Sequence, residues 1–195
     1  MEAIKLEKRK YSTDEYFQLL KGSREKLELI NGVIRMMSGA TRNHNDIAAN
    51  TFVALRTAGS GCYITASDTA VGVAETGSYF FPDISATCEE PTFEDRGIAV
   101  LNNPNLIIEV LSLSTERKDK GVKFEAYTKL KSLKEYILID SKALQVHAYY
   151  RLEQGSWEIG NYFNREQHVE VKTLGVSVPM ATIYEGVEFE DENQS

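Results

Sequence analysis

Two acidic residues stand beside short apolar runs that read as strands: Asp83 after Tyr79-Phe80-Phe81-Pro82, and Glu109 within Leu106-Ile107-Ile108-Glu109-Val110-Leu111. A carboxylate inside or at the end of a buried strand is costly to desolvate and needs a cation, hydrogen-bond donors or a metal ion to compensate it. Singly, each has a plainer reading, an Asp in a turn after Pro and a Glu on a solvated strand face. As a pair on neighbouring strands they make a site for a hard divalent cation. Magnesium prefers near-octahedral oxygen ligands, keeps several waters, and is commonly held by one or two carboxylates. Asp83, Glu109 and the backbone carbonyl of Val110 would leave room for water and a phosphate oxygen. An ion held there would polarise the phosphate, make the attacking water more acidic and stabilise charge on the leaving oxygen.

The order of motifs is more specific than either acid. Pro82-Asp83, then Glu109-Val110-Leu111-Ser112, then Ser114-Thr115 followed by Asp119-Lys120-Gly121-Val122-Lys123-Phe124-Glu125-Ala126-Tyr127, then Glu135-Tyr136 and Asp140, resembles the Uma2 family. That family is a bacterial, notably cyanobacterial, branch of the PD-(D/E)XK nuclease-like superfamily, and the likeness runs from Tyr16 to Glu188. The resemblance implies an α/β fold with a mixed sheet, a restriction-endonuclease-like core with flanking helices, and a C-terminal layer of antiparallel hairpins. It also implies a metal-dependent endonuclease acting on nucleic acid, DNA ahead of RNA, with Mg2+ or Mn2+ as cofactor.

The superfamily's usual pattern places a lysine two residues after the Glu, where strand alternation puts both side chains on one face. Here that position is Leu111. The family supplies its lysine from the next helix, and the matching residue is Lys123. Helical spacing accommodates this, since Lys123, Tyr127 and Leu130 fall at i, i+4 and i+7. Lys120 is only about 60° away around the helix and remains the alternative. By the same resemblance Glu28, just before Leu29-Ile30-Asn31-Gly32, is an outer ligand or base. Its other reading is a Glu paired across a hairpin with a lysine or arginine. His44, in the first turn of a long helix, matches a family histidine that touches phosphate or supports a metal ligand; its other reading is a surface histidine at a helix start.

These side chains need elements to position them. Ser12-Thr13-Asp14-Glu15 reads as a capping box opening a short helix that Gly22 ends, after a basic arm of Lys5, Lys8, Arg9 and Lys10. Asn31-Gly32 between apolar runs signals a type I′ hairpin. Thr41 to Ala58 carries a near-helical apolar stripe, with Thr41, Asn43 or Asp46 as its cap. Strands follow at 62–66 and 70–73, and Asp83 begins another. The stretch Glu89 to Asn105 is rich in Glu, Asp, Pro, Asn and Gly and reads as a long polar loop. Ser112-Leu113-Ser114-Thr115 is a linker and cap before a helix through Lys123 to Leu130, locally basic within an acidic protein. Strands at 135–140, 144–152, 156–163 and 168–171, a hairpin at Gly155, a helical turn at Met180 to Tyr184 and an acidic tail from 189 complete the chain.

At 195 residues and 42% hydrophobic composition the chain suits one domain, 1–195. It has no apolar run of the roughly 20 residues that span a bilayer and no signal-peptide core, which points to a cytoplasmic protein with no membrane partner. Cys62 and Cys88 show no paired spacing, so neither a disulfide nor a zinc site is expected, and both read as small buried residues. A net charge of -7 argues against coating nucleic acid by overall attraction, though a local basic patch can still guide phosphate to a carboxylate site. A homodimer fits the two strands of a duplex. Leu111 and the negative charge together favour a rival function, a catalytically silent nuclease-fold binding or regulatory module. A hydrolase of another phosphorylated or small substrate is a third, since fold does not fix function.

Overall fold

Strand alternation sorts β9 (Leu106–Leu111) onto two faces, and much of the architecture follows from that sorting. The computed structural model describes residues 6–112 and 115–189. Lys5 of the basic arm, Leu113 and Ser114 of the linker, and the acidic tail from residue 190 lie outside them. Leu106, Ile108 and Val110 enter one apolar cluster, while Ile107 and Leu111 enter another, so Glu109 projects with the second set.

The strand is central in a six-stranded sheet, in the order β12 (Trp157–Tyr162), β11 (Val146–Arg151), β10 (Glu135–Asp140), β9, β6 (Ile84–Thr87) and β3 (Tyr63–Ala66). Only β9 and β10 run parallel. Parallel neighbours need a crossover. The lysine-rich segment supplies it as α3 (Glu116–Lys118), a π-helical turn (Asp119–Lys123) and α4 (Phe124–Tyr127).

The Ile108 and Val110 face is covered by α2 (Arg42–Thr57), α5 (Met180–Ile183) and a C-terminal hairpin of β13 (His168–Val171) and β14 (Val176–Pro179). On the Ile107 and Leu111 face lies a second six-stranded sheet, β2 (Val33–Met36), β1 (Leu27–Ile30), β5 (Ser78–Phe80), β4 (Ala70–Val73), β8 (Ala99–Leu101) and β7 (Phe93–Asp95). Its Ile30, Val71, Val73 and Phe80 join Tyr127 and Tyr136 in one core, sandwiching the lysine-rich segment between the sheets. Its other face packs Leu27, Leu29 and Tyr79 against Tyr16 and Phe17 of α1 (Thr13–Gly22).

Local signals explain several of these elements. Ser12 and Glu15 form both halves of the capping box on α1, and Thr41 caps α2 by accepting from the His44 amide. Asn31 and Gly32 both take positive φ, 51° and 83°, as a type I′ turn demands. Of the described arm, Arg9 is tied back to Glu7, Glu15 and the Tyr11 ring.

Two expectations are corrected. The stretch from Glu89 to Asn105 is not a plain loop: Phe93–Asp95 and Ala99–Leu101 form a hairpin, and β8 pairs parallel with β4, burying Val100 and Leu101. Three-residue strands are too short for periodicity to reveal. The cysteines are also bridged, Cys62 to Cys88, with Cα atoms 4.3 Å apart. Tyr63 pairs with Thr87, so the next position outward sets the two cysteines directly opposite. Neither is a buried thiol: Cys62 is half-buried and Cys88 exposed. Among the described residues, no helix is long and apolar enough to cross a membrane.

Candidate active site

The pairing of β6 with β9 brings the two acids together. Ile84 lies opposite Ile108 and Ser85 opposite Ile107; one step further along this antiparallel register sets Asp83 opposite Glu109. Directly opposed residues share a face of the sheet. Both carboxylates line a cleft of about 1490 Å³ that also takes in His44, Val110 and Lys123. Asp83 Oδ2 accepts the Val110 amide at 2.7 Å and lies 3.3 Å from His44 Nε2. A strand residue presents its N–H and C=O to the same neighbour, so the Val110 carbonyl faces the gap beyond β6 as well.

Glu109 is 3% exposed, and its Oε1 accepts both the Lys123 ammonium at 2.8 Å and the Tyr127 hydroxyl at 3.1 Å. Burial raises its carboxyl well above the ordinary range; Lys123 opposes this, while Asp119 and Asp83 add to it. Among the described residues, Oε2 of Glu109 and Oδ1 of Asp83 accept no hydrogen bond.

Lys123, 3% exposed, sits among three carboxylates: Glu109, Glu28 Oε1 at 3.1 Å and Asp119 Oδ1 at 3.2 Å. Burial alone would lower its pKa, but Glu109, Glu28 and Asp119 outweigh burial and hold the ammonium well above its usual value. The π turn carries Asp119 and Lys123 on the same buried side, and the Asp119 carbonyl accepts from the Tyr136 hydroxyl at 3.0 Å. Extra-residue turns of this kind recur at functional sites. Burial raises the Asp119 carboxyl against the pull of Lys123.

Glu28 shares the inward face of β1 with Ile30 and is fully buried. Its register partner is Arg35, yet the two do not pair. Lys118 holds Oε2 at 2.9 Å and Lys123 holds Oε1 instead. Burial pushes this carboxyl up, but Lys123 and Lys118 bring it below the usual range. Glu28 thus stands behind Lys123, with Oε2 hydrogen-bonded to Lys118 and Oε1 in an ion pair with Lys123 that makes no hydrogen bond. Lys120, the alternative to Lys123, is exposed and pairs with Glu116 at 2.7 Å, away from the acids. Leu111 is buried in the core between the sheets.

His44 is no surface residue, with its side chain 13% exposed. Burial would lower its pKa, but the Asp83 carboxylate raises it overall. Its Nδ1 is buried without a hydrogen bond. The ring sits against Asp83 Oδ2.

The donor set fits a hard divalent ion. Three carboxylates, Glu28, Glu109 and Asp119, gather around two ammonium groups, Lys118 and Lys123, and Asp83 on the neighbouring strand pairs with His44, which leaves more carboxylate than ammonium in a partly desolvated site. Such an excess must be met by protons or by a cation. Among the described residues no group of three or more His, Cys, Asp or Glu side chains is arranged to hold a metal. The fit is to a two-carboxylate site of the kind magnesium uses, with water filling the other positions.

Comparison with known proteins follows the same lines. A family model described as "Uma2: Putative restriction endonuclease" matches residues 13–181. The chain belongs to the Uma2 family. "Uncharacterized protein slr1290" of Synechocystis sp. is 34% identical over 182 residues, covering 92% of this chain and 94% of its own length. "Uncharacterized protein sll1609" of the same organism is 35% identical over 164 residues, covering 83% of this chain and 93% of its own length. The crystal structure of "a putative nuclease belonging to DUF820" from Anabaena variabilis shares the fold, with a TM-score of 0.69 at 17% identity over 89% of this chain and 97% of that one.

In this Uma2 chain Asp119, Lys118 and Tyr127 are the site residues that sequence reasoning did not single out. Asp119 and Tyr127 each stand four residues from Lys123, which was a usable signal. Nothing in the linear sequence points Lys118 at Glu28, because they meet only through the packing of the crossover on the second sheet.

Proposed function

We propose that the cleft hydrolyses phosphodiester bonds in nucleic acid, DNA ahead of RNA, with Mg2+ or Mn2+ held by Asp83, Glu109 and the Val110 carbonyl. The observation that carries this reading is the surplus of carboxylate over ammonium groups, with Asp83 and Glu109 lining one cleft and each keeping one oxygen that accepts no hydrogen bond among the described residues. A divalent ion, when bound, supplies Lewis-acid polarisation of the phosphate and charge for the leaving oxygen. The protein's own residues do the rest. His44 and the Val110 amide fix Asp83, and Lys123 with Tyr127 fixes Glu109, so both carboxylates are held in place before any ligand arrives. Glu28 and Asp119 keep Lys123 charged beside the place where negative charge builds up. Pairing of two copies would offer one cleft to each strand of a duplex, and light scattering reads that state. A nucleic-acid substrate would place the protein in the cytoplasm, where the Cys62–Cys88 bridge would meet thiol reductants.

The deciding experiment incubates plasmid, single-stranded DNA and RNA with the protein and a panel of divalent ions, beside Asp83→Asn and Glu109→Gln. Metal-dependent cleavage that both variants lose by at least about a hundredfold is expected. Equal cleavage by wild type and variants would end the proposal. One observation favours the silent module: Lys123 has three donor hydrogens and three carboxylates around it, and Leu111 stands where the usual lysine would be. Metal-independent oligonucleotide binding without cleavage would support that second reading.

A further inference from the structure

The cleft has a charge character opposite to the chain's. Six of its lining side chains are Lys or Arg and four are Asp or Glu, in a protein of net charge -7. Three of the six, Arg24, Arg35 and Arg117, are exposed and, among the described residues, make no ion pair, hydrogen bond or ring contact. Arg35 is the most telling. It lies opposite Glu28 across the β1–β2 hairpin, where an acid would ordinarily engage it. Lys118 donates to one oxygen of that Glu and Lys123 stands 3.1 Å from the other, while Arg35, exposed and lining the cleft, engages none of its five donors among the described residues. Arg24 precedes β1 on the same wall. Arg117, next to Lys118, lines the cleft from the helical crossover.

We infer that Arg24, Arg35 and Arg117 form a two-walled grip for a phosphodiester backbone, taking the phosphates that flank the one presented to Asp83 and Glu109. The grip rests on the nucleic-acid reading of the cleft but not on its hydrolytic chemistry. Guanidinium groups suit the role because their planar fork meets phosphate oxygens two at a time and is more weakly hydrated than an ammonium. Two walls of such groups around an acidic floor favour a polymer, whose neighbouring phosphates reach both walls, over a single phosphate. The arrangement also overcomes the unfavourable overall charge, since local field at a cleft rather than net charge guides a polyanion.

The test is fluorescence anisotropy of labelled single-stranded DNA, duplex DNA and RNA oligonucleotides, without divalent ions, over a range of KCl. The intact chain is compared with Arg24→Gln/Arg35→Gln/Arg117→Gln and with a control, Lys129→Gln/Lys131→Gln/Lys134→Gln, on the exposed basic stretch outside the cleft. Among the described residues the rim side chains make no ion pair, hydrogen bond or ring contact, so the rim variant should melt with the wild type and binding should read the rim alone. Expected is a loss of affinity of at least about tenfold in the rim variant and a salt slope shallower by about 2 to 3, as loss of three phosphate contacts requires. The control should bind nearly as the wild type does. Wild-type affinity and slope in the rim variant, an equal loss in the control, or no oligonucleotide binding by the wild type would each overturn the grip. Cleavage is scored separately: rim-dependent binding without metal-dependent cutting would leave the grip standing and remove the hydrolase.

Discussion

Replacing Lys123 with Met keeps the length of the side chain and removes the one charge that three carboxylates share. Glu109, Glu28 and Asp119 approach it at 2.8, 3.1 and 3.2 Å, and all four groups are at least nine-tenths buried. Breaking a buried pair by deleting one partner costs about 3–5 kcal/mol, because the remaining charge is left uncompensated. For a domain of this size each kcal/mol moves the melting temperature by about 2–4 °C, so Lys123→Met should melt about 6–20 °C below the wild type in metal-free buffer. Lys120→Met, which loses only an exposed pair with Glu116, should cost less than about 1 kcal/mol. Thermal unfolding followed by circular dichroism reads both, and repeating it with manganese tests the charge count. The Lys123 variant should regain more stability from the ion than the wild type does, since its carboxylates have lost their internal counter-charge. A Lys123→Met protein that melts within about 2 °C of the wild type would refute the reasoning.

Other expectations concern the same network and its supports. Burial raises the folded carboxyls of Glu109 and Asp119, so their contribution to stability is fully present below the unfolded pKa and lost as pH rises through the raised folded value. Metal-free protein should therefore melt higher as pH falls from neutral to about 5, and Glu109→Gln should flatten that trend in a fluorimetric melt; an unchanged trend in the variant would contradict it. Glu28 acts oppositely: burial pushes it up but Lys123 and Lys118 hold it low, so its contribution disappears only as pH falls through that lowered value. Tyr127→Phe removes one of two donors to Glu109 Oε1 and should cost about 1 kcal/mol in a denaturant titration. Cys62→Ser/Cys88→Ser opens a link spanning 26 residues, worth about 3.5 kcal/mol in the chain-entropy account, and a reductant should lower the wild-type melting temperature but not the variant's.

Much of this arrangement was legible in the linear sequence, for identifiable reasons. The Asn31-Gly32 turn, the Ser12 capping box and the apolar runs around Asp83 and Glu109 are local signals, and the structure keeps each of them. Strand periodicity put Glu109 and Leu111 on one face, the resemblance to the Uma2 family pointed to Lys123 in place of a lysine at 111, and Lys123 reaches Glu109 from the crossover. What stayed hidden was non-local. The pairing of β8 with β4, the bridge between Cys62 and Cys88, and the approach of Lys118 to Glu28 depend on segments that meet only after the sheets stack. The π turn was invisible for a different reason: Gly121 and Val122 within Asp119 to Lys123 mark a weak stretch of helix, but residue types alone do not tell which wider winding it takes.

If Asp83 and Glu109 hold one divalent ion, as proposed above, the ion will be visible between them. Crystals soaked in Mn2+ and measured for anomalous scattering test it directly. Expected is a single strong peak in the cleft, with an oxygen of Asp83 and an oxygen of Glu109 both about 2.0–2.4 Å from it, and loss of that peak in Asp83→Asn. A peak that touches neither carboxylate, or a cleft that stays without one at saturating manganese, would contradict it.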